Sequence, residues 1–167
     1  MSEQTTTAPT IIDIFRRNMA PTVAMLRNII MQCPDEAWAD GHPAVWQQLY
    51  HTIFWFNAWA RDWATPFKRP TFHSDDVLNM VKGATPVLTR EQLVEYLRQA
   101  EADCYVFLDH LTPESLIVEV EAFGVRWTPA DRILGQLRHI QHHVGGMHAT
   151  IRRVTDSAPK WVGFNEG

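Results

Sequence analysis

The sequence predicts an all-α fold, a four-helix bundle with a long connector between its second and third helices. Three observations predict it. Apolar residues recur at helical spacing in four stretches, and Pro, Gly and Thr punctuate the chain between them. Almost nothing alternates with the period of two that a strand requires. At 167 residues the chain fits one domain spanning 1–167, with no repeat and no Gly/Ser linker to divide it.

The first helix is expected from Pro9 to Gln32, where Ile11, Ile12, Phe15, Met19, Val23, Leu26, Ile29 and Ile30 keep close to a 3.6-residue period. Pro21 inside it predicts a kink or a break, because proline lacks the N–H and its ring meets the preceding turn. The second helix is expected from Pro43, as a first-turn proline, to about Trp63. A connector, Ala64 to Leu88, follows, with a short helix over Asp75 to Lys82; its length predicts a crossover. The third helix opens at Thr89, whose Thr-Arg-Glu-Gln run makes a capping box, and continues to Asp109. Between Leu111 and Trp127 the signals conflict: Thr112-Pro-Glu-Ser reads as a helical turn, Ile117 to Val120 as a short extended piece. Thr128 as cap, Pro129 at the first position and Asp131 open the fourth helix, expected to about Val154. Trp161, Val162 and Phe164 give the polar tail apolar points with which to fold back on the body.

Composition excludes several function classes. The net charge is −4, and the basic residues occur as scattered pairs (Arg16-Arg17, Lys68-Arg69, Arg152-Arg153), which is no footprint for nucleic acid. Residues 1–10 lack the basic start and apolar core of a signal peptide. The uncharged run Gly41–Ala60 carries His42, Gln47, Gln48, His51 and Asn57, too much polarity for a membrane span. Cys33 and Cys104 form no metal or redox motif and suit a reducing cytoplasm, the expected location. Neither HExxH, GxSxG, Walker A nor a dinucleotide fingerprint is present. Seven Trp and eight His remain to be explained.

The histidines concentrate in the fourth helix. Its apolar stripe is Ile133, Leu137, Ile140, Val144, Met147 and Ile151, and His139 and His143 lie four apart on one flank of it. His142 falls on the opposite side of the helix and His148 on the other flank. The 139/143 pair thus has the i,i+4 geometry by which one helix offers two imidazoles to one ion; solvated surface or hydrogen-bonded core are the plainer readings of such a pair. Gly135 and Gly146 lie near the same flank, where a helical glycine serves either to make room or to let another helix approach. A catalytic zinc site wants three protein ligands, and the second helix supplies His51. On the helical wheel His51 shares an arc with Gln48, Trp55, Ala58 and Asp62, which suits a solvated face or a pocket wall. Trp55 and Trp59, four and eight residues after His51, are candidates to line a substrate pocket, with core packing the plainer reading of both. His73 and His110 are expected at the surface, and Asp62 lies about 16 Å along the helix from His51, too far to orient it.

A His in the second helix, followed by His-x-x-His-His-x-Gly in the last, resembles the DinB/YfiT-like superfamily of metal-dependent helical proteins; the resemblance covers nearly the whole chain in helix order and lengths. Carried across by position, the family's three metal-binding histidines are His51, His139 and His143, while His142 and Gly145 match the neighbouring His and Gly. Val144 and Gly146 stand where relatives often carry Arg and Gln. The resemblance implies a divalent metal ion, with Zn or Ni foremost and Fe, Mn or Cu also compatible. It further implies a small-molecule substrate, a homodimer, and an enzyme that transfers a low-molecular-weight thiol to an electrophile. A metal-dependent hydrolase and a non-catalytic, stress-related metal- or ligand-binding bundle are the alternatives.

Overall fold

The computed structural model describes residues 9–163, so Phe164 and most of the stretch before the first helix lie outside the described residues. The all-α expectation holds: four long helices surround one apolar core, and the only sheet among the described residues is a short hairpin.

Helix α1 (Ile11–Gln32) begins at a reciprocal capping box, in which Asp13 N–H donates to Thr10 Oγ1 at 3.2 Å and Thr10 N–H donates to Asp13 Oδ2 at 2.8 Å. Of the kink or break expected at Pro21, the break does not occur: the helix is continuous through it. Met19 and Val23 on either side of the proline, with Leu26, Ile29 and Ile30 beyond it, are all buried, and that packing outweighs the roughly 3 kcal/mol that an internal proline costs. A single turn, α2 (Asp35–Trp38), follows. Helix α3 (Val45–Trp59) starts later and ends earlier than the sequence predicts, leaving Pro43 outside it. Gln47 sets the start by accepting the Ala44 N–H at 3.2 Å. Arg132 marks the end: its guanidinium donates to the Trp59 carbonyl through Nε at 3.0 Å and Nη2 at 2.8 Å, and also to the carbonyl of Arg61.

Within the connector a single turn, α4 (Asp75–Leu78), is capped by Ser74. Helix α5 (Arg90–Asp109) has the predicted Thr89 box and the predicted end. A 3₁₀ turn, Ser115–Ile117, precedes β1 (Val120–Ala122) and β2 (Val125–Trp127), which pair antiparallel with Val120 opposite Trp127. Phe123 and Gly124, both at positive φ (55° and 71°), make the two-residue turn. The expected extended piece is therefore displaced toward the C-terminus and has a partner strand. Helix α6 (Pro129–Thr155) has the predicted cap, with Pro129 in its first turn.

Helices α1 and α3 each lie against both α5 and α6 and meet one another less extensively. Leu49, Ile53 and Phe56 of α3, Leu93, Leu97 and Leu108 of α5, and Ile133, Ile140, Val144, Met147 and Ile151 of α6 fill the space between them. In the tail, Val162 is buried whereas Trp161 stays exposed. Among the described residues no helix is long and apolar enough to cross a membrane.

Candidate metal centre

Helices α3 and α6 pack side by side, and this contact brings the middle of one against the middle of the other. His51 from α3 meets His139 and His143 from α6, with ring centroids 5.4 Å and 4.8 Å from His51 and 4.7 Å from each other. One ring nitrogen of each imidazole lies within 4.8 Å of those of the other two. All three are half-buried. The arc containing His51 is thus turned toward α6 and is not a solvated face.

Two of the three rings are held by a hydrogen bond on the side away from the cluster. His51 Nδ1–H donates to the Leu78 carbonyl at 2.8 Å, and His139 Nδ1–H donates to Gln136 Oε1 at 3.3 Å. Each bond fixes the tautomer that leaves Nε2 with a free lone pair, the arrangement metal-binding histidines use. Gln136 is buried, and the connector carrying Leu78 is fastened to α3 by Gln47 Nε2 on the Val81 carbonyl at 2.9 Å and by the Tyr50 hydroxyl on His73 Nδ1 at 2.7 Å.

Burial disfavours the charged imidazolium at all three positions. It lowers the His51 pKa below 6.5, outweighing the opposing effect of the Leu78 hydrogen bond. Burial, then the neighbouring His51 and His142, push His139 down to about 4. Burial, then His139, His51 and His142, push His143 down to about 3. Near neutral pH the cluster is three uncharged nitrogen donors, which suits a borderline-soft divalent ion.

The remaining histidines stand apart. His142 is exposed, its ring 5.0 Å from that of His143. His73 is tied to Tyr50 and Asp75 in the connector, and His110 is exposed at the end of α5. His148 is buried, with an unpartnered Nε2, outside the cluster. Both cysteines are buried, which raises their thiol pKa values to about 11 for Cys33 and about 12 for Cys104 and leaves them unreactive.

Beside His139 a recess of about 240 Å³ is lined by Trp55, Trp59, Trp127, Gly135 and Gln136, with Arg138 at its edge. Trp59 of this lining is the hub of an aromatic cluster, with ring centroids 4.8 Å from Trp127, 5.4 Å from Trp63 and 5.6 Å from Phe123. The two glycines of α6 behave differently. A Cβ at Gly135 would meet nothing within 4 Å, so this residue opens the recess, whereas one at Gly146 would stand 3.1 Å from Gln48 Oε1, so that residue lets α3 come close. Sequence reasoning missed Gln136, Trp127 and the Leu78 carbonyl. Gln136 stood three residues before His139, a spacing that faces the same side of the helix; the other two arrive through the hairpin and the connector and leave no signal in helical spacing.

The family model of the DinB superfamily matches residues 3–147. Among solved structures, the crystal structure of a conserved protein from Enterococcus faecalis matches with a TM-score of 0.63 and 16% identity, covering 90% of this chain and 100% of that one. No curated protein matches the chain. The match over most of its length places this chain in the DinB superfamily.

Proposed function

We propose that His51, His139 and His143 hold one divalent metal ion, with zinc or nickel preferred over iron, manganese or copper, and that the chain is a small metalloenzyme transferring a low-molecular-weight thiol to an electrophile. The convergence of three uncharged imidazoles from two helices carries this reading. Bound there, the ion would keep its full charge and at least one open position, and would lower the pKa of a thiol or of water placed on it. His51 and His139 would be aimed by Leu78 and Gln136, and His143 would complete the set. Trp55 and Trp59, with Trp127, would seat the apolar part of the substrate beside His139 and keep water away from it.

Thiol transfer stands ahead of hydrolysis because the recess beside His139 offers a single carboxylate, Asp131, as a general base. Asp131, the carboxylate lining the recess, is engaged in the α6 cap, accepting from Thr128 N–H at 3.0 Å and from the Thr128 hydroxyl at 2.6 Å. A hydrolase would want a general base within hydrogen-bond reach; a thiol already held as thiolate does not. The same reading makes the protein a cytoplasmic homodimer acting on small molecules. Metal-loaded protein offered cysteine, glutathione or N-acetylcysteine together with an aryl halide tests it. Thiol consumption catalysed by the parent chain and abolished in His51→Ala is expected; consumption at the uncatalysed rate across the panel would contradict thiol transfer.

A further inference from the structure

Helix α3 separates the histidine cluster from a second, larger recess. Asn57 follows His51 by six residues, which sets it about 120° away around the helix. On that side a cleft of about 940 Å³ lies between α3, α5 and the first part of the connector. Phe67, Phe72 and Val106 give it apolar walls, and Phe72 meets the Tyr96 ring edge-on at 6.0 Å between centroids.

Of the polar groups lining this cleft, the Asp103 carboxylate has only amide donors and the Tyr96 hydroxyl has no partner. Asp103 accepts from Asn57 Nδ2 and from Gln99 Nε2, each at 2.8 Å, but forms no ion pair among the described residues, and Asn57 itself is only 3% exposed. Tyr96 is 6% exposed, and its hydroxyl is sealed from solvent with no hydrogen-bond partner. Burial, then Tyr50 and Asp103, raise the Tyr96 pKa, so the phenol stays protonated. The Arg61 guanidinium also lines the cleft: its Nη1 donates to the carbonyls of Asp62, at 2.9 Å, and Thr65, it stands over the Phe67 ring at 5.0 Å, and its Nε is buried without a hydrogen-bond partner. Asp62, Glu91, Glu95 and Lys68 also line the cleft, with Glu95 paired to Arg98. Carboxylates therefore outnumber cations around an aromatic-walled cleft.

We propose that this cleft binds a small organic cation, a protonated primary amine on an aromatic or aliphatic body, with its ammonium on Asp103 and the Tyr96 hydroxyl oxygen and its body between Phe67 and Phe72. An ammonium offers three donors to two acceptors that lack a charged donor, and the aromatic walls favour a cation. An anion would meet Asp103 with like charge, and a neutral molecule would leave that carboxylate with its two amide donors and the longer-range attraction of Arg61, with which it makes no ion pair.

Calorimetric titration of the full chain with 2-phenylethylamine hydrochloride, against 3-phenylpropanoate and 2-phenylethanol, tests the assignment. One amine per chain is expected, bound at least tenfold more tightly than either isostere. Asp103→Asn weakens it at least tenfold and Tyr96→Phe about threefold to tenfold. Val106→Trp, which fills the cleft from an exposed edge without touching its polar groups, abolishes binding and decides the matter if Asp103→Asn does not fold. His139→Ala leaves amine binding unchanged, which separates this site from the metal centre. Equal affinity for the three probes, undiminished binding in folded Asp103→Asn or in Val106→Trp, or loss on His139→Ala would overturn the proposal.

Discussion

In the folded chain burial and mutual repulsion hold His139 and His143 uncharged down to about pH 4 and about pH 3, whereas the unperturbed imidazole protonates at 6.5. Between those values the unfolded state binds more protons than the folded one, so lowering the pH from 6.5 toward 4 destabilises the metal-free protein, and raising it above 7 adds nothing further from these groups. Urea titrations at pH 7 and pH 5 should show that loss, and a His139→Ala, His143→Ala double variant should lose less. An equal loss in the double variant would assign the acid sensitivity to other groups. Gln136 acts through His139: with leucine in its place the imidazole Nδ1–H loses its acceptor, and metal affinity should fall about 10- to 100-fold without unfolding the chain. Competition titration with a chromogenic chelator reads that change directly.

Helix ends and helix faces were legible in the sequence to different degrees, for physical reasons. The Thr89 and Thr128 boxes are local, each closed within four residues, and the sequence places both helix starts correctly. The limits of α3 depend on partners far along the chain: Arg132 takes carbonyls 71 and 73 residues away, and its guanidinium lies 3.7 Å from the Trp63 ring centroid. Arg132→Met should cost about 2–4 kcal/mol, since it strands those carbonyls in a buried place; thermal melts of the purified variant measure it. The face of His51 stayed open in the sequence because nearly every side chain from Val45 to Asn57 is buried, so polarity does not mark which arc meets solvent. On α6 the two glycines should diverge. Gly135→Ala adds a methyl into open space and should stabilise by about 0.5–1 kcal/mol through helix propensity, while Gly146→Ala gains less because Gln48 must shift. Equal gains in denaturant titrations would contradict the close approach of Gln48.

At the scale of the molecule the candidate site is a property of the packing of α3 on α6, two helices that the chain separates by the connector, α5 and the hairpin. The sequence carried the 139/143 pair, since one helix presents both residues, and resemblance supplied the third member. Geometry then joined them and added Trp127 through a hairpin whose Phe123-Gly124 turn lacks the Asn-Gly or Asp-Gly signature. The central claim is that imidazoles from both helices share one ion. The most direct test is the divalent metal content per chain, measured by plasma mass spectrometry on untagged protein after exposure to zinc or nickel and desalting. One ion per chain in the parent protein, and none in His51→Ala or in His139→Ala, is the predicted result. No ion in the folded parent protein, or a full ion retained in folded His51→Ala, would contradict it.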